Sequence, residues 1–179
     1  MLQTASSGQP LVFVEHRMTA PFNQARFRPL LPAGIHPSDW TGVRRLCVEY
    51  FPKSATRPQM MSTISMIARL VNEASIPSRL WIGGEFLTER ENPQACSVAI
   101  VLVESVYSSL SSDQLDFFDW FRHSSLFDKH KCETYGLVLD AGRRDWEFLY
   151  MYWLNQYGLG RKKISTGIVE ILMPTLIKP

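Results

Sequence analysis

The residues best suited to chemistry lie in the stretch Leu80–Val103, where two apolar runs flank a glycine turn and a polar segment. Gly83 and Gly84 follow the first run, and a glycine-rich turn can cradle phosphate with its backbone N–H groups. Glu85 follows directly, and its carboxylate would crowd a triphosphate placed there. The turn therefore has the shape of an anion site but carries an acidic side chain.

This layout resembles the core of the nucleotidyltransferase superfamily, and more narrowly a small family of stand-alone bacterial nucleotidyltransferase-like proteins. Members of that family carry a glycine-serine turn, then a threonine and a basic residue, then an Asp-x-Asp pair on the next strand. Here Glu85 stands at the serine position, and Ser97 and Ala99 stand at the two aspartate positions. The resemblance implies an α+β fold, with a nucleotidyltransferase-like mixed β-sheet, helices packed on it and an extended N-terminal arm.

The two altered positions decide what the site can bind. Side chains alternate along a strand, so residues 97 and 99 point to the same face. Two carboxylates at that spacing can hold the two metal ions of phosphoryl transfer, and Mg²⁺ requires oxygen ligands. Ser97 supplies one neutral hydroxyl and Ala99 supplies no oxygen. The sequence thus predicts a pocket without metal ligands, and Glu104, of opposite parity, should face away from it.

Other positions of the family pattern are partly retained. The threonine and basic residue that lie near the phosphates in the family correspond to Thr88 and Arg90, which could bind a phosphate-like anion. A solvated loop is the alternative, in which Glu89 and Glu91 cancel the charge of Arg90 locally. The third carboxylate of the superfamily corresponds best to Glu133, while Asp140 fits a turn role at the end of the strand.

The N-terminal part of the chain is read as an arm. Residues 1–10 are expected to be disordered, and residues 11–179 to form one domain that includes the arm at 18–38. Leu11–Glu15 favours a short edge strand, whereas the prolines of Pro21–Pro37 exclude a long regular element. The Leu-Pro-Ala-Gly-Ile-His stretch also resembles the family, although a turn role is the simpler interpretation of His36.

Periodicity places the remaining elements. Helices are predicted at 40–51, with an apolar face of Val43, Leu46, Cys47 and Tyr50, and at 58–74, with an apolar stripe of Met61, Ile64, Ile67, Ala68 and Val71. A third helix is predicted at 111–124, with an apolar face of Leu115, Phe118 and Phe121. A fourth is predicted at 145–157, a range rich in Trp and Tyr. Phe117 and Trp120 fall off the third face, so that helix should be covered on two sides, either by the N-terminal arm or by another protein, while His123 suits its last turn. Strands are predicted at Val98–Val103, Glu133–Asp140 and Gly167–Met173.

Composition excludes several classes of protein. The formal net charge of +2 over 179 residues argues against nucleic acid as a partner. The sequence contains no run of 18 apolar residues, so no membrane span is predicted. The N-terminus lacks the pattern of a signal peptide. Three widely spaced cysteines predict neither a disulfide framework nor a zinc site, so a cytoplasmic location is expected. No His-x-x-x-His pair, Gly-x-Ser-x-Gly elbow, CxxC or Walker loop occurs.

These observations favour a non-catalytic binding protein on a nucleotidyltransferase-like frame, without a cofactor, such as an immunity protein or antitoxin that neutralises a partner toxin or effector by direct binding. The alternative is an active nucleotidyltransferase that moves a nucleotide from an NTP to protein or RNA, with Mg²⁺ held by Glu85 and Glu133. A third possibility is a nucleotide sensor that binds without metal through Thr88 and Arg90.

Overall fold

A computed structural model describes residues 27–124, 126–139 and 167–173 of the protein. Its five strands are β1 (Gly34–Pro37), β2 (Ser78–Gly83), β3 (Cys96–Val103), β4 (Cys132–Leu139) and β5 (Gly167–Met173). Its helices are α1 (Trp40–Arg44), which continues into a π-helical turn (Arg45–Glu49), α2 (Arg57–Glu73), α3 (Glu104–Tyr107), α4 (Ser112–His123) and α5 (Phe127–His130), with a 3₁₀ turn at Gly84–Leu87.

The strands form one mixed sheet in the order β1-β5-β2-β3-β4. β2 runs antiparallel to both of its neighbours, β3 and β5, whereas the outer pairs β1–β5 and β3–β4 are parallel. Helices pack on this sheet. The predicted α+β class with a mixed sheet is therefore confirmed.

The larger core lies between the sheet and the helices. It joins alternate residues of the strands, such as Leu80 and Val98, to the buried stripes of α2 and α4. All five predicted stripe residues of α2 are buried, so the helical period was read correctly. Ser111 caps α4 and forms a capping box with Gln114, which fixes the start of this helix.

The opposite side of the sheet carries a second, smaller apolar cluster. Its buried members come from four strands and comprise Trp81, Ala99, Val101, Leu137, Leu139 and Ile168. Because β3 contributes residues to both clusters, seven of its eight residues are buried. This confirms the prediction of a strand covered on both faces.

One prediction of burial was wrong. Tyr50 was placed on the buried face of the first helix but is 61% exposed. The π-helical turn widens the last part of the helix, and the Tyr50 N–H donates to the carbonyl of Arg45, five residues back, so the side chain turns away from the predicted face. Trp120 is 49% exposed, whereas Phe117 beside it packs against the core. The expected cover of this side of the helix by the arm or by another protein stays a prediction.

The arm is described from residue 27 onward. Leu30 and Leu31 pack against the larger core and Ile35 against the second cluster, so these apolar side chains anchor the arm to the sheet. A four-residue strand, β1, forms within it. Predictions for Leu11–Glu15, Asp140 and the helix at 145–157 lie outside the described residues. None of the helices in the described ranges combines the length and apolar character that crossing a bilayer requires.

Candidate functional site

The glycine turn lies directly beside the start of β3. Gly83, the last residue of β2, pairs with Ser97 across the antiparallel ladder. Gly84 has φ +78°, and a Cβ added there would lie 2.9 Å from the Ser97 hydroxyl and 3.2 Å from the Ser97 backbone nitrogen. Both the conformation and the close approach therefore require glycine at position 84.

The residues at the two altered positions share a face of the sheet, as strand alternation predicted. Ser97 pairs with Glu133 across the parallel β3–β4 ladder, and Ala99 pairs with Tyr135. The Ser97 hydroxyl donates a hydrogen bond to Glu133 Oε2 at 3.1 Å, and the Tyr135 hydroxyl donates to the same oxygen at 3.2 Å. Glu133 is thus bound by its neighbours on the sheet.

The space on this face is small. The cavity bounded by Gly83, Ser97, Ala99 and the buried side chains of Trp81 and Ile168 has a volume of about 10 Å³. A single water molecule needs roughly 10–15 Å³, whereas pockets for small molecules measure roughly 300–1,000 Å³. The donors do not fit Mg²⁺ either, since position 97 offers a hydroxyl engaged with Glu133 and position 99 offers a methyl group.

Glu85 has a different role from the one its sequence position suggested. Its carboxylate is 2% exposed and does not stand free in the turn. Oε1 accepts from the Arg90 guanidinium at 2.7 Å, and Oε2 accepts from the backbone N–H of Gln94 at 2.8 Å. This buried ion pair holds the polar segment against the 3₁₀ turn.

The solvated-loop interpretation of the polar segment was wrong for Thr88 and Arg90. Thr88 is 1% exposed, and its hydroxyl donates to the carbonyl of Glu85 at 2.7 Å. The Arg90 side chain is 23% exposed and pairs with Glu85, not with the adjacent Glu89 and Glu91. The segment folds inward because the buried Glu85 carboxylate needs a cationic partner.

A buried arginine anchors the same segment from the side of α2. Arg57 is fully buried, and its guanidinium donates to the carbonyls of Cys47, Phe86, Thr88 and Arg90 at 2.5–3.2 Å. The ring of Phe51 lies 3.6 Å from the guanidinium carbon. Burial lowers the pKa of Arg57 to about 10. This role could not be predicted from the pattern of residues, because an arginine beside Pro58 is an ordinary start for a helix.

The other candidates are not gathered at this face. His36 lies on β1, where its Nε2 is 2.9 Å from the carbonyl oxygen of Pro32, and His123 accepts from Arg122 at the end of α4. Glu104 begins α3 beyond the end of β3. Within residues 27–124, 126–139 and 167–173, no three His, Cys, Asp or Glu side chains are grouped as metal ligands would be.

A larger cleft lies on the helical side, near the same end of the sheet. It has a volume of about 500 Å³ and lies between the first turn of α2, the segment 90–94 and residues 130–131. Sequence reasoning found Arg90 in this group but missed His130 and Lys131. The polar run Asp-Lys-His-Lys before β4 was the available signal.

The fold and the site together define an α+β protein. On one side of its sheet, the glycine turn and the paired strands leave only a small, largely apolar cavity, and an open polar cleft lies on the helical side. The chain belongs to the family DUF6932, described as a family of unknown function, which it matches over residues 22–172. Comparisons with curated proteins and with solved structures gave no match.

Proposed function

We propose that the protein is a non-catalytic binding protein built on a nucleotidyltransferase-like frame. The frame is supported by register: the glycine turn pairs with the strand that would carry the metal-binding pair, and that strand pairs with the one carrying Glu133. The nucleotidyltransferase superfamily, which the sequence resembles, has the same order of glycine turn, metal-binding strand and strand with the third carboxylate. The nucleotidyltransferase-like character is part of the proposal.

The proposal that the protein is not a catalyst rests on the size of the cavity beside Ser97. The face that should hold metal and triphosphate contains a cavity of about 10 Å³ bounded by Trp81, Ala99 and Ile168. Ser97 donates to Glu133, so the two groups nearest the would-be metal site satisfy each other. Activity would require opening this face and separating that hydrogen bond.

Active transfer through Glu85 and Glu133 has no support from their surroundings. Glu85 is held by Arg90 and the Gln94 N–H, and Glu133 by Ser97 and Tyr135. Each carboxylate has its own partners, and no contact joins the two. Recruiting both for a metal would break the ion pair between Arg90 and Glu85, whose side chain is 2% exposed.

The binding role requires an accessible contact surface, and α4 offers one. Trp120 is half-exposed and lies 5.8 Å, ring centre to ring centre, from Phe117. Tryptophan is enriched among residues that dominate binding energy at interfaces. The partner in the narrower form of this proposal is a bacterial toxin or effector protein, and the chain is the immunity protein or antitoxin that neutralises it.

Affinity purification of the full chain from its source cells tests the binding role. We expect one partner at a stoichiometric ratio, lost in Trp120→Ala and retained in the control Arg69→Ala, whose side chain is exposed on α2. A toxin gene next to the gene for this protein would identify the partner class. Transfer of labelled nucleotide by a preparation that recovers no partner would overturn the proposal.

A further inference from the structure

The cleft beside α2 has the size and composition of a small-molecule site. Its volume of about 500 Å³ lies within the range of roughly 300–1,000 Å³ that ligand pockets occupy. Its walls combine the apolar Met60 and Pro93 with the side-chain amides of Gln59 and Gln94. A ligand with both a polar head and an organic body would find partners here.

The charge of the cleft is positive. Arg90 and Lys131 line it, His130 lies beside them, and none of the nine lining residues among those the structure describes is acidic. Glu85 offsets the charge of Arg90 but is not part of the lining, while the buried Arg57 adds a second guanidinium beside the Arg90 carbonyl. An anion in the cleft would therefore meet the cationic side chains of Arg90 and Lys131, and would share Arg90 with the Glu85 carboxylate.

The start of α2 adds a second, independent feature. This 17-residue helix directs the positive end of its dipole toward its N-terminus, where Thr56 is the N-cap and lines the cleft. Thr56 makes no side-chain hydrogen bond to the helix, and its buried Oγ1 has no hydrogen-bond partner in the structure as described. A buried hydroxyl is normally satisfied, so this one points to a bound polar group.

Asn92 supplies a further donor. Its Oδ1 accepts from the backbone N–H of Ala55 at 2.8 Å and from the Ser54 hydroxyl at 3.2 Å, which fixes the orientation of the side-chain amide. The Nδ2 group is consequently a donor on a side chain that lines the cleft. Donors thus come from the start of α2, from the segment 90–94 and from the residues before β4.

We propose that this cleft binds a phosphorylated small molecule, with the phosphate between Arg90, Lys131, Asn92 and the Thr56 hydroxyl. A phosphate monoester fits better than a carboxylate because it offers three acceptor oxygens and nearly two charges to several convergent donors. The binding requires no metal and is separate from the closed face beside Ser97. The inference does not depend on the proposed function.

Calorimetric titration of the full chain in EDTA, with inorganic phosphate, ribose 5-phosphate, adenosine 5′-monophosphate and uncharged adenosine, tests this assignment. We expect the phosphate compounds to bind and adenosine to give no heat. Tighter binding of the nucleotide than of ribose 5-phosphate would indicate a nucleotide as the ligand, and equal affinities would indicate a sugar phosphate. No heat from any phosphate compound at about 10 mM would overturn the proposal.

Three variants separate a built site from diffuse attraction. Lys131→Gln should weaken binding about tenfold, the loss of one charge-assisted contact, whereas the control Lys129→Gln, which removes the same charge outside the lining, should change affinity less than about twofold. Thr56→Val should weaken binding about fivefold while the melting temperature stays the same or rises, because an unpaired buried hydroxyl is removed.

Equal losses for the two lysine variants, or unchanged affinity in Thr56→Val, would contradict the assignment. If Lys131→Gln does not fold, Lys131→Arg, which keeps the charge, and Thr56→Val decide the question. Failure here would appear as absent phosphate binding, whereas failure of the proposed function would appear as nucleotide transfer or as a missing partner.

Discussion

Two regions at the same end of the sheet differ in almost every physical respect. The face beside Ser97 is closed, with a cavity of about 10 Å³, and its polar groups pair with one another. The cleft beside α2 has about 500 Å³, carries basic side chains and includes a buried hydroxyl without a partner in the structure as described. On our proposal, ligand binding therefore belongs to the helical side of the sheet.

The Glu85–Arg90 ion pair lies at the boundary between the two regions. Glu85 belongs to the turn next to β3, while Arg90 lines the cleft, and their contact is 2.7 Å long. Arg57 fixes both ends of the boundary by binding the carbonyls of Phe86 and Arg90. Changes on the closed face should therefore mainly affect stability, and changes in the cleft should mainly affect binding.

The largest effect is expected from Ala99→Asp. This change puts a carboxylate where the nucleotidyltransferase resemblance expects one, but places it in the apolar cluster of Trp81 and Ile168, where Ala99 is 4% exposed. We expect a loss of about 4 kcal/mol in the free energy of unfolding, as for an unpaired buried charge. Urea denaturation measures it.

Val103→Asp is the matched control, because Val103 lies on the same face of β3 but at its exposed end. Val103→Asp should lower the free energy of unfolding by about 1 kcal/mol, which is the range of strand propensities. Similar losses for the two variants would show that the face at Ala99 is open to water.

Arg57→Lys should have the next largest effect. An ammonium group cannot reproduce the planar fork that binds four carbonyls, so buried acceptors lose their donors. We expect a loss of about 3 kcal/mol by urea denaturation. Arg69→Lys on the exposed side of α2 should change stability by less than about 0.5 kcal/mol, and a matching loss there would refute the assigned role of Arg57.

The boundary ion pair can be tested by a double-mutant cycle. Arg90→Met leaves the buried Glu85 carboxylate with only the Gln94 N–H and should cost about 3 kcal/mol. Combining it with Glu85→Gln should recover about 2 kcal/mol of the summed losses. Additive losses would mean that the two side chains are not coupled.

Alkaline pH should produce the smallest effect. Burial raises the pKa of the Cys47 thiol to about 12, and the pKa of Cys96 is raised by its hydrogen bond with Cys132 and by burial. The folded state keeps these protons above pH 9, where the unfolded chain releases them, so stability is complete below pH 9 and falls as pH rises toward 12.

The lowered pKa of Arg57 acts in the opposite direction from about pH 10 upward, so the clearest window is pH 9 to 10. We expect a loss of about 1 kcal/mol per thiol across it, measured by urea denaturation, and a shallower slope in Cys47→Ala. Unchanged stability from pH 9 to 10 would contradict the burial of these thiols.

The sequence predicted the elements that depend on local periodicity. The stripe of α2, the strand Gly167–Met173 and the shared face of Ser97 and Ala99 follow from periods of 3.6 and 2, and all three are confirmed. Tyr50 was missed because a π-helical turn breaks the period, and apolar pattern alone does not reveal such a turn.

The site was less predictable because its partners are distant along the chain. Arg57 binds carbonyls up to 33 residues away, and Lys131 joins Arg90 only after β3 and β4 pair. Glu85 was recognised as unusual, yet its pairing with Arg90 depended on the 3₁₀ turn that buries Glu85. Local charge counting favoured Glu89 and Glu91, which lie closer in sequence.

Calorimetric titration of ATP into the protein, once with Mg²⁺ and once with EDTA, tests the closed face most directly. The account predicts that Mg²⁺ leaves the affinity for ATP unchanged or weakens it, because any binding would use the cleft and no metal. Binding that requires Mg²⁺ and is abolished by Glu133→Gln would contradict it.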